Sequence, residues 1–181
     1  MNMDKQRTKD LRYLRMARIW SENSYAVRRK VGCLIVSKDD MIISDGYNGT
    51  PSGFENVCER VVDERMRETL EPLSEDIQRK ELEIFLNTGQ QEVVTKPYVL
   101  HAEANAITKL ARTTQSSNGA TLYCTDMPCM ECSKIIIQSG IKRVVYERPY
   151  RIDDGVNLLK RAGIEVIHIP GKDIDETDKS E

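Results

Sequence analysis

The hydrophobic and polar pattern of the first fifty residues predicts a helix followed by a β-hairpin. Five positions near the start fall on one face of a helix: Leu11, Leu14, Arg15, Arg18 and Ile19. The stretch "VGCLIVS" (residues 31–37) is apolar and β-branched, which is typical of a strand. After the turn "KDD", the stretch "MIISDGY" (residues 41–47) pairs back as a hairpin, and "NGTPSG" (residues 48–53) is a surface loop.

The pattern in the second half of the chain alternates regularly between helical and extended periods. The predicted helices are "HAEANAITKLAR", "CMECSKIIIQSG" and "GVNLLKRAG", and the predicted strands are "GATLYCT", "KRVVYE" and "IEVIHI". Gly140 and Gly163 close two of these helices as C-cap residues. Strands joined by crossover helices run parallel, so the last three strands are expected to be parallel neighbours.

The order of these elements predicts an α/β fold, a three-layer α/β/α arrangement around a mixed five-stranded sheet. We expect one domain over residues 1–169 and a loose, polar tail over residues 170–181. Between about residues 55 and 98 the chain is highly charged at helical spacing, with Pro72 ending one helix and Ser74 starting another. This segment is interpreted as a charged helical insertion, and no chemistry is predicted in it.

Composition narrows the classes of partner. The chain has 181 residues, 31% of them charged, with a formal net charge of −2 and 6% aromatic residues. A nucleic-acid-binding protein usually carries a basic stripe or a stacking platform, so no nucleic-acid partner is expected. No apolar run approaches the roughly 20 residues that span a bilayer, so no membrane partner is expected either.

The first twenty residues are Arg-rich and amphipathic, which would also fit a transit peptide. Asp4 and Asp10 interrupt that pattern, so an ordinary first helix is the favoured interpretation. The expected location is therefore the reducing cytoplasm. In that compartment the five cysteines are more typical of metal ligands or core residues than of disulfides.

Candidate chemistry is concentrated at two predicted helix starts. Cys129 and Cys132 are three residues apart, so both sulfurs point to one side of their helix, and Pro128 suits the helix entry. His101 and Glu103 begin another helix. If the two helix starts meet, one nitrogen and two sulfurs converge, a ligand set that suits zinc.

A structural zinc would require a fourth protein ligand, and four residues are candidates: Cys33, Cys58, Cys124 and His168. Cys33 and Cys124 lie in apolar strand patterns typical of a core. With three ligands, the fourth position holds water, whose pKa the metal lowers toward ~7. Glu103, close to the metal without binding it, can then carry the proton.

His-x-Glu followed by Pro-Cys-x-x-Cys is the signature of zinc-dependent nucleobase deaminases, whereas Cys-x-x-Cys by itself would also fit a redox pair or half a zinc finger. Within that group the chain resembles the deoxycytidylate (dCMP) deaminase family, especially its phage type, from about Leu11 to Ile169. The segments that carry the resemblance are "SYAVRRKVGCLIVS", "IISDGYNGTPSG", "HAEANAI", "GATLYCTDMPCMECSKIIIQSGIKRVVY" and "YRIDDGVNLLKRAGIEV".

The resemblance implies a cytidine deaminase-like fold and hydrolysis of dCMP to dUMP and ammonia, which would supply dUMP for thymidylate synthesis. Glu103 would pass a proton to N3 of the base and then help the amine to leave. Five residues would contact the substrate: Asn48 at the sugar, Tyr150 near the phosphate, Ser24 and Arg28 at the phosphate, and Ala102.

The resemblance also implies a homohexamer that dCTP activates and dTTP inhibits, with a divalent ion such as Mg²⁺ accompanying the effector. Effector contacts would come from Gly46, Tyr47, Gly49 and Arg112. Some phage members carry a second, structural zinc. Here Ala26 and Val57 stand where its cysteines are expected, and residues 55–98 contain no histidine, so one zinc per chain is predicted.

Two rival functions remain open. One is a deaminase of another cytosine or adenine substrate, either a free nucleoside or a nucleic acid. The other is a non-catalytic zinc module that binds a protein partner, which predicts four protein ligands and a dispensable Glu103.

Overall fold

The computed structural model describes residues 3–150 and 152–176. Within them the chain forms seven helices and seven strands. In chain order these are α1 (Met3–Ser21), β1 (Gly32–Val36), β2 (Ile42–Tyr47), β3 (Glu59–Val61), α2 (Glu64–Leu70), α3 (Glu75–Thr88), β4 (Val93–Thr95), α4 (Ala102–Leu110), β5 (Thr121–Asp126), α5 (Met130–Gln138), β6 (Arg143–Arg148), α6 (Asp154–Arg161), β7 (Glu165–His168) and α7 (Gly171–Glu176).

The main sheet has five strands in the order β2-β1-β5-β6-β7. Strand β1 runs antiparallel to both β2 and β5, whereas β5, β6 and β7 are parallel. Helices α5 and α6 make the two crossovers between these parallel strands. The predicted mixed sheet with parallel last strands is therefore confirmed.

Helices cover both faces of the sheet, because alternate residues of the central strands face opposite sides. On one face Cys33, Ile35 and Leu122 pack in a buried cluster with residues of α4, α5 and α6. On the other face Leu34 and Tyr123 pack in a cluster that includes residues of α1 and α7. This arrangement confirms the three-layer α/β/α prediction.

The insertion, residues 55–98, has a small hydrophobic core of its own, which includes Leu82 and Phe85 of α3 and Val93 of β4. Its two helices form as expected, with Ser74 at the N-cap position of α3 and the left-handed Gly89 after its last turn. The purely helical expectation is incomplete, however, because β3 and β4 pair antiparallel as a two-stranded ribbon at the base of the insertion. Each of these strands has three residues, too few for a period of two to be recognised in the sequence.

The expectation of a loose tail from residue 170 is wrong for residues 171–176. They form α7, whose Ile174 is 0% exposed in the cluster beneath α1. Two arginines of α1 hold the helix by ion pairs, Arg7 with Asp173 at 2.5 Å and Arg18 with Asp175 at 2.5 Å. Residues 177–181 of the predicted tail lie outside the described residues.

Across the described residues, every helix is too short or too polar to cross a bilayer.

Candidate active site

The first turns of α4 and α5 meet at one edge of the sheet. His101 precedes α4 and Cys129 precedes α5, both with extended backbone at the N-cap position. N-cap side chains usually accept a hydrogen bond from their own helix, but neither of these does so. Their side chains are instead directed at each other.

Three donor atoms converge at this meeting point. His101 Nδ1 lies 3.5 Å from Cys129 Sγ and 3.4 Å from Cys132 Sγ, and all three donors lie within 4.8 Å of one another. Zinc bonds of about 2.0 Å to nitrogen and about 2.3 Å to sulfur, at tetrahedral angles, separate the two ligand atoms by about 3.5 Å. The donor set and its spacing therefore fit a zinc ion.

The two thiols titrate as a pair. Hydrogen bonds from Cys132 and His101 lower the pKa of Cys129 to about 3. The pKa of Cys132 is raised, because its thiol donates to Cys129 and because it is buried. The bond to Cys129 also raises the pKa of His101. One thiolate beside an imidazole is a suitable starting state for a cation that needs deprotonated sulfur ligands.

Glu103 lies beside these donors at the second position of α4 and is 4% exposed. Burial raises the pKa of its carboxyl group to about 7, and the charge of His101 acts in the opposite direction. A carboxyl group with a pKa near neutrality can both accept and donate a proton at physiological pH, as general acid–base catalysis requires.

Two of the donors, His101 and Cys129, line a cleft of about 440 Å³ together with Glu103, a volume within the range of small-molecule sites. Four of the five residues predicted to contact substrate line it: Arg28, Asn48, Ala102 and Tyr150. Further lining residues were not predicted: Arg29, Val31, Glu59, Thr95, Val99, Asp126 and Met127. Two of these, Glu59 and Thr95, belong to the insertion, which therefore forms part of the cleft wall.

Ser24, the fifth predicted contact, lies behind the cleft and is 2% exposed. Its hydroxyl donates to the carbonyl of Asn48 at 2.7 Å and accepts from the N–H of Ala26 at 3.2 Å. The hydroxyl hydrogen is therefore engaged in a bond that supports Asn48, and Ser24 is not one of the residues that line the cleft.

Asn48 lines the cleft while holding the loop that precedes β1. Its Oδ1 accepts from the N–H of Val31 at 2.8 Å, and its Nδ2 donates to the carbonyl of Arg29 at 2.8 Å. An amide group retains one further acceptor and one further donor position, so these bonds leave capacity for a ligand.

Ala102 and Tyr150 lie at opposite extremes of exposure. Ala102 is fully buried in the first turn of α4, where backbone N–H groups have no acceptor within the helix and can face a ligand. Tyr150 follows β6, lines the cleft and is 60% exposed.

Asp126 was missed although it directly precedes the Met-Pro-Cys turn. Its carboxylate pairs with Arg29 at 2.5 Å and with Arg148 at 2.6 Å, and Arg148 also donates to the carbonyl of Lys30 at 2.9 Å. Burial raises the pKa of Asp126, and the two arginines oppose that effect. Its position at the carboxyl end of a central strand, where ligands bind in open α/β sheets, was the available signal.

Three of the four residues predicted to contact an effector lie in or just after β2. Gly46 and Tyr47 belong to the strand, and Gly49 follows it and forms a β-bridge with Leu100. At Gly46 a Cβ atom would lie 2.2 Å from the carbonyl oxygen of Ala102, so glycine allows β2 and α4 to approach closely. Arg112 is exposed beyond the last residue of α4, at the opposite end from His101.

The four alternative zinc ligands are engaged elsewhere. Cys33 and Cys124 are fully buried and face each other across β1 and β5, and Cys58 is 1% exposed in the insertion. His168 Nε2–H donates to the carbonyl of Glu147, 2.8 Å away. Among the described residues, the group with converging donors consists of His101, Cys129 and Cys132.

Comparison with known proteins agrees with this geometry. The family model for the cytidine and deoxycytidylate deaminase zinc-binding region matches residues 7–148. The deoxycytidylate deaminase of Enterobacteria phage T4 is 34% identical over 177 residues, which cover 90% of this chain and 91% of the phage protein. The chain belongs to the cytidine and deoxycytidylate deaminase family. The family predicted from the sequence is thereby confirmed.

Two further relatives are similar to this chain, one in sequence and one in structure. The deoxycytidylate deaminase of Saccharomyces cerevisiae is 33% identical over 162 residues, covering 87% of this chain and 43% of the yeast protein. The crystal structure of dCMP deaminase from cyanophage S-TIM5, in complex with dCMP and dUMP, has a TM-score of 0.67 and 35% identity. That similarity covers 93% of this chain and 99% of the cyanophage chain.

Proposed function

We propose that the protein hydrolyses dCMP to dUMP and ammonia. The observation that carries the proposal is the convergence of His101, Cys129 and Cys132 beside the buried carboxyl of Glu103. The cleft above them is also lined by the guanidinium groups of Arg28 and Arg29, which suit a phosphate. Relatives named deoxycytidylate deaminase that match most of this chain support the same substrate.

In the proposed reaction the residues of this chain hold the base and move protons. A zinc ion held by His101, Cys129 and Cys132 would lower the pKa of a bound water toward ~7. Glu103 takes a proton from the attacking water and gives it to N3 of cytosine. The water oxygen bonds to C4 in this first step, and Glu103 then takes the remaining proton from that oxygen and transfers it to N4. The C4–N4 bond breaks, the C4 carbonyl forms and the amine leaves as ammonia.

The remaining cleft residues orient the nucleotide. We assign the sugar to Asn48 and the phosphate to Arg28 and Tyr150, all of which line the cleft. The first-turn backbone of Ala102 faces the base. Ser24 contributes indirectly, through its hydrogen bond to the carbonyl of Asn48.

The decisive experiment measures ammonia release from dCMP, deoxycytidine and a cytosine-containing single-stranded oligonucleotide side by side. We expect turnover of dCMP with a kcat/KM at least tenfold above that for deoxycytidine, because the nucleoside lacks the phosphate that Arg28 would bind. Activity confined to the oligonucleotide, or to an adenine substrate, would favour the rival deaminase function. Metal analysis of the same sample is expected to give one zinc per chain.

Regulation and assembly are further parts of the proposal. We propose that dCTP activates and dTTP inhibits the enzyme, each with Mg²⁺, through Gly46, Tyr47, Gly49 and Arg112, and that the chain forms a homohexamer. The close packing of Gly46 in β2 against the first turn of α4, which carries Glu103, supports a path from these residues to the catalytic carboxyl group. Thiolate ligands require reduced cysteines, which supports a reducing compartment such as the cytoplasm. Adding each nucleotide with Mg²⁺ to the dCMP assay, and measuring the mass in solution, tests these points.

A further inference from the structure

Glu59 is a buried carboxylate for which the proposed reaction has no use. It lies in β3 of the insertion, is 2% exposed and borders the cleft. Its Oε2 accepts from the N–H of Val27 at 3.1 Å and its Oε1 from the N–H of Arg28 at 3.4 Å. Burying a carboxylate is costly, and hydrogen bonds from consecutive backbone amides compensate for part of that cost.

The loop between α1 and β1, residues 22–31, is here called the arginine loop. Its first half is attached to the insertion in two further ways. The side chain of Val27 packs against the insertion core, and Arg28 Nη1 donates to Thr95 Oγ1 at 3.3 Å. Thr95 in β4 is the direct cross-strand partner of Glu59. One pair of ribbon residues therefore holds both the backbone and the guanidinium of Arg28.

The second half of the arginine loop is attached to a different part of the protein. Asn48 bonds the carbonyl of Arg29 and the N–H of Val31, while Asp126 pairs with the side chain of Arg29. These contacts come from the loop after β2 and from the end of β5. The position of Arg28 thus depends on the insertion, whereas that of Arg29 depends on the sheet.

We propose that Glu59 is a positioning residue that sets the recognition of the substrate's phosphate by fixing Arg28, an inference that rests on the proposed function. Both carboxylate oxygens are required, since each accepts one backbone N–H. A glutamine offers one oxygen and would direct its NH₂ group at the other N–H, which loses one bond and adds a donor–donor contact. The insertion thereby acts as a support for substrate selectivity.

The test compares dCMP with deoxycytidine as substrates of the zinc-loaded protein carrying Glu59→Gln. We expect the KM for dCMP to rise at least tenfold, with kcat within threefold of wild type and kcat/KM for deoxycytidine within twofold. Glu92→Gln, at an exposed position of the same insertion, is the matched control and should leave both substrates unchanged. A merely structural role would lower the activity on both substrates in proportion, and that result would overturn the inference.

Thr95→Val provides a second variant that keeps the buried carboxylate and removes the hydroxyl that Arg28 contacts. We expect a smaller rise in the KM for dCMP, about threefold, with deoxycytidine unaffected. If Glu59→Gln does not fold, an unchanged dCMP KM in Thr95→Val overturns the inference by itself. A wild-type enzyme that does not turn over dCMP would overturn the proposed function, which separates the two failures.

Discussion

Glu103 occupies the second position of α4, two residues after the candidate ligand His101, and its carboxyl group is 4% exposed. Burial raises its pKa, whereas the amino-terminal end of a helix favours its charged form. These opposed effects leave a carboxyl group that exchanges protons near pH 7.

Glu103→Gln keeps the shape of this side chain and removes its ability to accept a proton. We expect the rate of ammonia release to fall by about 10²- to 10⁴-fold, the usual contribution of a general acid–base group. Zinc content should stay at the wild-type level, because Glu103 is not one of the three converging donors.

The matched control is Glu131→Gln, an acidic residue in the first turn of α5 whose side chain is 76% exposed and pairs with Lys134. Its activity should equal that of wild type. Full activity in Glu103→Gln would show that Glu103 is not the proton carrier, whereas bound zinc without ammonia release in the wild type as well would support a non-catalytic zinc module. Atomic absorption and the ammonia assay on the same preparations decide between the two.

At the scale of elements, both helix starts that bear the donor residues pack against a glycine. Gly46 of β2 allows close approach to Ala102, and Gly155 of α6 allows close approach to the turn before α5. A Cβ atom at Gly155 would lie 2.4 Å from the carbonyl oxygen of Pro128 and 2.8 Å from the carbonyl carbon of Cys129. These are backbone atoms, so they cannot move aside by a rotamer change.

Gly155→Ala should therefore displace the turn that carries Cys129. We expect zinc affinity to fall about 10- to 100-fold, as for residues that orient metal ligands from the second layer. Competition with a chromophoric chelator measures this affinity, and circular dichroism checks the fold. Asn157→Ala, at an exposed position of the same helix, is the control. Equal zinc affinity in Gly155→Ala and wild type would show that the turn tolerates the added methyl group.

The elements that could be predicted from the sequence are helices of several turns and strands long enough to show a clear hydrophobic pattern. Strand β5 and helix α5 each have at least six residues of consistent pattern, and the helix stop at Gly140 was evident. The β3–β4 ribbon was missed because three residues carry no periodicity. Helix α7 was missed because Ile174 stands among charged residues, and its burial depends on the arginines of α1.

Residues of the candidate active site could likewise be predicted where their pattern is local in the sequence, and not where they depend on distant contacts. His101, Glu103 and the two cysteines could be predicted because each pair is local in sequence and begins a helix. Glu59 and Asp126 act on residues about thirty and a hundred positions away, Arg28 and Arg29. Such contacts form only once the chain has folded, so the spacing of residues along the sequence cannot predict them.

At the scale of the whole molecule, the sheet is covered on both faces, and α1 is joined to it by a buried polar cluster. Asp10 is 2% exposed and accepts hydrogen bonds from Tyr123 of β5 at 2.9 Å and from both Nη atoms of Arg143 of β6. Burial acts to raise the pKa of Asp10, but the bonds from Arg143, Gln6 and Tyr123 outweigh it, so the pKa is lowered. The folded protein therefore favours the carboxylate.

Asp10→Asn should destabilise the fold by about 3–5 kcal/mol at pH 7, because it leaves the largely buried guanidinium of Arg143 without its closest countercharge. Since the folded pKa of Asp10 lies below its unfolded value of about 3.9, this stabilisation is fully present above that value and is lost as the pH falls through the folded pKa. The difference in unfolding free energy between wild type and variant should therefore be constant from about pH 5 to 7 and shrink below about pH 4. Urea denaturation at several pH values measures it, with the exposed Asp39→Asn as the control. A difference that stays the same at pH 3.5 would mean that packing of α1, and not the charge of Asp10, determines the loss.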